Sequence, residues 1–347
     1  MKSLLFAVAL LLPIFSFATI FTVDNSSSSP GQYTSATAAY NAASAGDTIY
    51  IRGSLHTYGN LTIKKNIVLI GSGYNPSPTN TFPTIFSDIT IYRTSSSNAS
   101  GTKIYGVKVL SSGDINIYGS SYSGHINNVR VERCEAKVKT SYSDGVKLIN
   151  NIFAELYIGS GAGGNMIVYN NIIKSIDFYS TYNTNSVTFD HNIFTNSSVS
   201  EFRYCIVKNS IFYGTPPGSN AVSTTFSNNM AYASANDTFN ITTNSNVGYN
   251  NLDHTNPNFV SVGSTSFSYF YDYHLQTGSP GIGTSTDGTN MGIYGGLYPF
   301  PIGGASGSGF QTSQEPAIPQ IYDYTIQNNV IQPNDSLNIN IKVSIQK

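Results

Sequence analysis

Charged residues recur at matching positions in consecutive segments from the middle of the chain. An alignment that points Val138, Leu156, Ile176 and Phe202 inward makes their neighbours outward, because side chains alternate along a strand. The outward residues form one column of Lys137, Glu155, Ser175 and Glu201, and a second column of Lys139, Tyr157, Asp177 and Arg203. Carboxylates beside basic side chains are suited to ion binding and proton transfer. The alternative interpretation is a set of salt bridges between neighbouring segments, such as one between Asp177 and Arg203.

Tyrosines and histidines are the remaining candidates. An exposed tyrosine ring can stack on a sugar face while its hydroxyl stays hydrated, which makes Tyr157, Tyr179 and Tyr182 candidate substrate-binding residues. His191 stands beside Asn192 in a polar pair, and we assign it a corner role. The sequence shows neither a His/Cys/Asp set with metal-ligand spacing nor the tight acidic pair of an inverting glycoside hydrolase.

A repeat of about twenty residues organises these candidates. A polar pair followed by an apolar pair recurs, and the second polar residue of successive copies is Asn151, Asn171, Asn192, Ser210 and Asn229. The spacings are 20, 21, 18 and 19 residues. Self-similarity at a fixed period indicates a solenoid of stacked units.

Each copy has the content of short strands joined by turns. β-branched and aromatic runs alternate with polar pairs and with Gly-rich loops such as residues 160–164. One copy therefore forms one coil of a parallel β-helix. The corner amides are predicted to hydrogen-bond the backbone of their own coil and of the next coil. This gives a structural ladder of Asn151, Asn171, Asn192 and Asn229.

The sequence on either side of the repeats predicts a cap for the first coil of the solenoid, a linker and a tail. Residues 34–45 are Ala-rich with helical spacing, and a helix there would cover the open first coil. Residues 301–316 are rich in Gly, Ser and Pro and are predicted to be a linker. Residues 317–347 hold two alternating runs around Gln332-Pro-Asn-Asp335, which predicts a two-stranded hairpin tail. The β-helix itself is expected over residues 19–300.

The first residues predict export. Met1-Lys2 precedes an apolar run over residues 4–12, and Ser16-Phe17-Ala18 has the small-x-small pattern of a cleavage site. This is typical of a secretory signal peptide, residues 1–18, cut after Ala18. The run is shorter than the about 20 apolar residues of a transmembrane helix. We therefore expect a secreted chain, extracellular or periplasmic, without a transmembrane anchor.

The amino-acid composition limits the classes of molecule that this chain could bind. With 17 Lys+Arg against 18 Asp+Glu, the net charge of -1 excludes a basic nucleic-acid-binding protein. Charged residues make up 10% of the chain, against roughly 25% in a typical domain, and tyrosine occurs 25 times. Such a surface suits an extracellular β-rich protein. We expect a monomer whose partner is a polysaccharide or a cell-surface glycan.

Coil geometry decides the state of the two cysteines. Cys134 and Cys205 are between three and four repeats apart, which is on the order of 15 Å at about 4.8 Å per coil. A disulfide needs Cα atoms within about 7 Å. Both thiols are therefore expected to be free and largely buried.

Several motifs together resemble a known superfamily. Gly46-Asp-Thr-Ile49, Leu69-Ile-Gly-Ser-Gly73, the Asn-Ile-Phe coils and the Asp287-Gly288…Gly292 ending are similar to pectate-lyase-like right-handed parallel β-helix proteins over residues 20–300. The resemblance implies an all-β, right-handed parallel β-helix (solenoid). It is less specific for activity, since the superfamily includes polysaccharide lyases, glycoside hydrolases, epimerases, adhesins and inactive copies.

The lyases of this superfamily imply roles for the charged columns. Their carboxylates on neighbouring coils hold Ca²⁺, which takes six to eight oxygens, and an Arg or Lys accepts the substrate proton. Carried over to this chain, Glu155, Asp177 and Glu201 would bind calcium, and Lys139 or Arg203 would be the base. Such a base needs a lowered pKa.

Three functions remain open from the sequence. The first is a secreted β-helix that binds polysaccharide along an exposed strand face, with or without catalysis. The second is a calcium-assisted polysaccharide lyase or a glycoside hydrolase. The third is a surface structural or adhesive protein attached through its tail. The low charge favours the first and third, because a lyase of acidic polymers would present a basic groove.

Overall fold

A computed structural model describes the following residues: 18–26, 31–75, 82–179, 187–199, 202–218, 220–239, 242–301, 320–326 and 339–344. They form a parallel β-solenoid of about nine turns, which confirms the predicted fold class. The strands are numbered β1 to β30 in chain order, and the helix is α1 (Ala36–Ala42).

Two long parallel sheets run along the solenoid. Sheet A stacks β1 (Ile20–Val23), β2 (Thr48–Ile51), β4 (Val68–Ile70), β8 (Lys103–Tyr105), β12 (Arg130–Glu132), β15 (Lys147–Ile149), β18 (Ile167–Tyr169), β20 (Val187–Asp190), β22 (Cys205–Lys208), β24 (Thr225–Ser227) and β26 (Val247–Tyr249). Sheet B stacks β3 (Asn60–Ile63), β6 (Asp88–Thr94), β10 (Asp114–Tyr118), β13 (Glu135–Ser141), β16 (Ile152–Ile158), β19 (Ile172–Phe178), β21 (Ile193–Val199), β23 (Ile211–Tyr213) and β25 (Met230–Tyr232).

Shorter strands complete the coils. At the margin of sheet B, β5 (Ile85–Phe86) and β9 (Lys108–Val109) pair in parallel, and β7 (Ser97–Asn98) pairs antiparallel with β6. A third face consists of β11 (Ile126–Asn127), β14 (Ser143–Asp144) and β17 (Ala162–Gly164). Two antiparallel pairs follow the solenoid: β27 (Phe259–Ser261) with β28 (Asp272–Leu275), and β29 (Gln320–Ile326) with β30 (Ile339–Ser344). The second pair confirms the predicted hairpin tail.

The core lies inside the coils and follows the period-two alternation of the strands. In β13, Ala136, Val138 and Thr140 are buried while the residues between them are partly exposed. Aromatic side chains fill the later coils, where the rings of Phe194 and Phe212 stack 4.5 Å apart. Because inward residues of successive coils lie one above another, each coil supplies the packing surface for the next.

Buried amides join the coils at the corner between sheets A and B. The Oδ1 atom of Asn171 accepts hydrogen bonds from Asn151 N (2.8 Å) and Asn151 Nδ2 (3.0 Å). The Asn171 Nδ2 atom donates to the carbonyls of Leu148 (3.0 Å) and Tyr169 (2.9 Å). It also donates to Asn192 Oδ1 at 3.1 Å, so that one amide bonds its own coil and both neighbouring coils. The residues linked in this way are Asn151, Asn171, Asn192, Ser210, Asn229 and Asn251.

The residue before each ladder position has left-handed backbone geometry. Asparagine is among the few residues that adopt positive φ at low cost, which explains the first Asn of the recurring Asn-Asn pair. His191 occupies this position with φ +55, so its predicted corner role is confirmed. The left-handed corner residues are Arg133, Asn150, Asn170, His191, Asn209, Asn228 and Asn250.

The first coil is closed by α1 and by β1. Ser35 caps the helix by accepting a hydrogen bond from Ala38 N at 3.4 Å, and Ala36, Ala39 and Tyr40 are buried. The helix contacts β1, β2 and β3, which confirms the predicted cap. It is shorter than residues 34–45 because the chain leaves the helix at Ala43, where ψ is 152.

A C-terminal segment, residues 281–300, returns along the corner and docks on its left-handed residues. The bonds are Asn228 Nδ2 to Thr284 O (2.8 Å), Asn209 Nδ2 to Thr286 Oγ1 (2.9 Å), His191 Nε2 with Thr289 Oγ1 (3.1 Å) and Asn170 Nδ2 to Ile293 O (2.9 Å). Asp190 accepts from Asn209 Nδ2 at 2.7 Å and pairs with His191 Nδ1 at 2.7 Å, which orients two of these side chains.

This return covers an apolar stripe on the outside of sheet B. The stripe consists of the first residues of successive strands, Ile152, Ile172, Ile193, Ile211 and Met230, and all are fully buried. They pack in a second core with Phe259, Tyr273, Met291, Ile293 and Phe300. The C-terminal region is therefore part of the folded solenoid.

Three other expectations concern the cysteines and the termini. Cys134 and Cys205 are free and buried, as predicted. Residues 1–17 of the predicted signal peptide and residues 302–316 of the predicted linker lie outside the described residues. Within the part that is described, no helix is long and apolar enough to cross a membrane.

Replacing Asn171 with alanine should lower the free energy of unfolding by about 3 kcal/mol. The change leaves both buried donors of Asn151 without their acceptor, and each such group costs about 1–3 kcal/mol. Urea unfolding followed by circular dichroism measures the effect. Asn60→Ala, at an exposed position on β3, is the control and should change stability by less than about 0.5 kcal/mol. Equal midpoints for the two variants would contradict the ladder's importance.

Neither thiol should react in the folded protein at pH 8. Burial raises the pKa of Cys134 to about 12 and also raises the pKa of Cys205, so the nucleophilic thiolate is scarce and inaccessible. A chromogenic disulfide reagent should give no signal on the native chain and two thiols per chain in guanidinium without reductant. Fewer than two thiols after denaturation would reveal a disulfide.

Candidate functional site

The predicted outward columns exist over three consecutive strands of sheet B. Lys137 pairs with Glu155, Lys139 pairs with Tyr157, and Tyr157 pairs with Asp177 across β13, β16 and β19. These side chains point away from the core, where the residues between them are buried. The structure therefore places most of the proposed site on one continuous surface.

The predicted register of the next strand is wrong. Ser175 pairs with Ser198 and Ile176 pairs with Val199, so Phe202 is not the inward partner of Ile176. β21 continues past the corner with two additional residues opposite Lys174, where the sequence suggested a longer turn. Arg203 instead bridges Val222, outside the column to which it was assigned. Glu201 lies outside the described residues.

Polar side chains extend the surface onto earlier strands that the sequence analysis did not include. Asp114 pairs with Lys137 in register, and its Oδ2 atom accepts a hydrogen bond from Lys139 Nζ at 2.9 Å. Tyr118 OH donates to Asn116 Oδ1 at 3.0 Å on the same strand. The alternation in Asp114-Ile-Asn-Ile-Tyr118 could have revealed this strand, but it precedes the Asn-Asn repeats used for alignment.

A second missed cluster borders this surface. Glu135 Oε2 accepts hydrogen bonds from Tyr269 OH and from Lys108 Nζ, the latter at 2.7 Å. Lys174 Nζ lies 4.8 Å from the ring centre of Phe267. A loop that lies 134 residues from Glu135 and 93 residues from Lys174 thus forms an aromatic border beside β13 and β19.

We call the combined surface the charged face. It lies on the outer side of β9, β10, β13, β16 and β19. Among the described residues it carries as many lysines as carboxylates: Lys108, Lys137, Lys139 and Lys174 with Asp114, Glu135, Glu155 and Asp177. In a chain with 10% charged residues, this is a local concentration of charge without a net sign.

The pKa values of two lysines of the charged face are shifted in opposite directions. The hydrogen bond to Asp114 raises the pKa of Lys139, with Glu155 contributing in the same direction. Burial lowers the pKa of Lys174, which Glu135 partly offsets. A proton acceptor needs a lowered pKa, so the environment of Lys139 favours a permanently charged hydrogen-bond donor over the predicted base.

Two of the three predicted tyrosines, Tyr157 and Tyr179, lie in the described structure. Tyr157 is partly exposed beside Asp177, and burial together with this carboxylate raises the pKa of its hydroxyl. Tyr179 is 44% exposed, and Tyr179 and Tyr118 both add to the raised pKa of the Tyr157 hydroxyl. Tyr182 lies outside the described residues. Tyr118 is a sugar-binding candidate that the sequence analysis missed.

Two of the three predicted calcium ligands, Glu155 and Asp177, lie in the described structure, and Glu201 lies outside it. Glu155 and Asp177 occupy different columns, next to Lys137 and Tyr157 respectively. Within the described residues, no group of three or more His, Cys, Asp or Glu is arranged to hold a metal ion. The metal-binding role of Glu155 and Asp177 stays a prediction from the superfamily resemblance.

Comparison with known proteins does not assign this chain to a family. No model of a known protein family matches this chain, and no curated protein matches it in sequence. The fold class is therefore supported by the structure itself, while the likeness to pectate-lyase-like proteins stays at the level of the parallel β-solenoid.

Replacing Asp114 with asparagine should lower the pKa of Lys139, because the charged acceptor that stabilises its ammonium group is removed. A pH titration of the lysine ¹³Cε signals measures the change. Asp88→Asn is the matched control: Asp88 lies on the neighbouring strand and accepts from Asp114 N at 3.0 Å, with no bond to Lys139. A shift of equal size in the control would contradict the direct pairing of Asp114 and Lys139.

Proposed function

We propose that the charged face binds an extended polysaccharide outside the cytoplasm, after removal of the signal peptide. The observation that carries this proposal is the register of β10, β13, β16 and β19, which places hydrogen-bonding side chains at matching positions of successive coils, with Tyr118 on β10 and Tyr157 on β16. A polymer with repeating hydroxyls suits a surface whose polar groups repeat at strand spacing, about 4.8 Å.

The rigidity of the surface supports this proposal. Its strands belong to a sheet fixed by the buried ladder at one end and by the inward core below. Side chains held on such strands are pre-ordered, so little conformational entropy is lost on binding. The aromatic border around Phe267 and Tyr269 forms one margin of the face.

The balance of charge indicates the class of polymer. Equal numbers of lysines and carboxylates on the described charged face give no strong attraction for a polyanion, which a basic groove would provide. Many of these groups already pair with each other, as Lys139 does with Asp114 and Lys108 does with Glu135. We therefore expect a neutral or weakly charged polysaccharide, bound through hydrogen bonds and ring stacking.

The chemistry of Lys139 favours binding over cleavage. Its pKa is raised by Asp114, so it stays protonated at neutral pH and can donate to a sugar oxygen. Arg203, the other predicted base, is not in the same column. We propose binding without bond breakage as the activity of this face.

Tyr118→Ala and Tyr157→Ala should each weaken polysaccharide binding about tenfold, as expected for loss of one stacking ring with its hydroxyl. Affinity electrophoresis against a panel of neutral and acidic polysaccharides measures the change. Tyr249→Ala is the control, since Tyr249 is 59% exposed on sheet A and far along the stack. Wild-type binding by both face variants, or binding to no polymer by the native chain, would overturn the proposal.

The same panel separates binding from cleavage. Incubation with and without calcium should give neither ultraviolet absorbance from unsaturated uronates nor new reducing ends. Calcium-dependent absorbance would make the protein a lyase, and Lys139, Glu155 and Asp177 would then be the residues to replace.

A further inference from the structure

A buried carboxylate next to the first residue after the predicted cleavage site lacks a cationic partner. Asp47 is 6% exposed. Its Oδ1 atom accepts a hydrogen bond from Thr19 N at 2.8 Å, and its Oδ2 atom accepts one from Ser44 N at 2.6 Å. Both donors belong to the backbone, so neither neutralises the charge.

The other buried carboxylates of the described residues each contact a basic side chain. Asp24 binds Arg52 at 3.1 Å, Asp190 lies beside Lys208 and His191, and Asp237 binds His254. Buried charges are normally paired, because an isolated charge loses its hydration without compensation. Asp47 departs from this pattern as long as the Thr19 nitrogen is a neutral amide.

We propose that removal of residues 1–18 supplies the missing partner, and that the new α-ammonium group of Thr19 forms an ion pair with Asp47. Hydrolysis of the Ala18–Thr19 peptide bond by an export peptidase takes one water: its hydroxyl goes to the Ala18 carbonyl and its proton goes to the Thr19 nitrogen. The resulting amine takes a second proton from solvent, since an α-amino group has a pKa of about 7.7–8.0.

The local geometry already fits the processed chain. β1 begins at Ile20, directly after Thr19, and Thr48 N donates to Thr19 O at 2.9 Å. Ala18 and Thr19 are exposed, so no part of the described chain needs to move when residue 19 becomes the terminus. Lys65 does not supply the missing partner in this structure, where its Nζ atom donates a hydrogen bond to the carbonyl of Ala43.

The ion pair would fasten the outermost strand of sheet A. β1 is paired through the whole of its length with β2 on one side, while only Val23 bridges Tyr33 on the other. An edge strand of this kind frays from its end. A charge-assisted bond at Thr19 therefore stabilises β1, and a chain cut at another bond would place its ammonium group away from Asp47.

The test compares full chains that begin at Thr19 with chains that begin at Phe17. Hydrogen exchange of the β1 amides should be about fivefold slower in the Thr19 chain, because a charged donor makes a stronger bond to a carboxylate than an amide does. Asp47→Asn should abolish the difference. Asp24→Asn, at the other end of β1, is the matched control and should leave the difference intact.

Other outcomes would overturn the inference. Equal exchange in the two chains, or a difference that survives Asp47→Asn, would show that the terminal charge does not act through Asp47. Protein recovered from an exporting host should start at Thr19 on N-terminal sequencing, and a different first residue would remove the basis of the pairing. None of these readouts depends on polysaccharide binding.

Discussion

The side-chain amide bonded to the backbone of its own coil and of the preceding coil is the interaction on which the rest of this solenoid depends. At the corner between sheets A and B the chain turns from one sheet to the other through a left-handed residue, and buried backbone groups there are not bonded within the sheets. Asn151, Asn171 and their counterparts satisfy them and at the same time set the height of each coil above the last. The stacking register at the start of each of these strands follows from this corner, and irregularities farther along β13 and β19 change it.

The corner also explains why the C-terminal region is part of the fold. Left-handed residues present their side chains outward, and Asn170, His191 and Asn209 use them to hold the returning segment. The outward isoleucines of sheet B would otherwise leave a long apolar stripe in water. Covering that stripe confines the solvated part of sheet B to the columns that form the charged face.

The charged face and the processed terminus show different uses of charge in a chain that has little of it. On the face, lysines and carboxylates pair with one another and keep the surface polar without a net sign, as in the contact of Lys139 with Asp114. At the first strand, the proposed pairing assigns one buried carboxylate to an ammonium group that exists only after cleavage of the predicted signal peptide. The ion pairs of the charged face lie on the surface proposed to bind a ligand, and the proposed ion pair of Asp47 stabilises an edge strand.

The repeat determined the parallel β-helix, the asparagine ladder and the inward positions of β13, β16 and β19. These follow from local rules, namely strand alternation and a fixed repeat, which operate within one or two coils. The position of Arg203 could not be predicted from the repeat, because two additional residues in β21 change the register without altering the apolar pattern. The contact of Tyr269 with Glu135 and the burial of Ile172 and Ile193 were decided only by the tertiary structure. Alternation shows which side chains point outward, but the segment that covers them comes from a distant part of the chain.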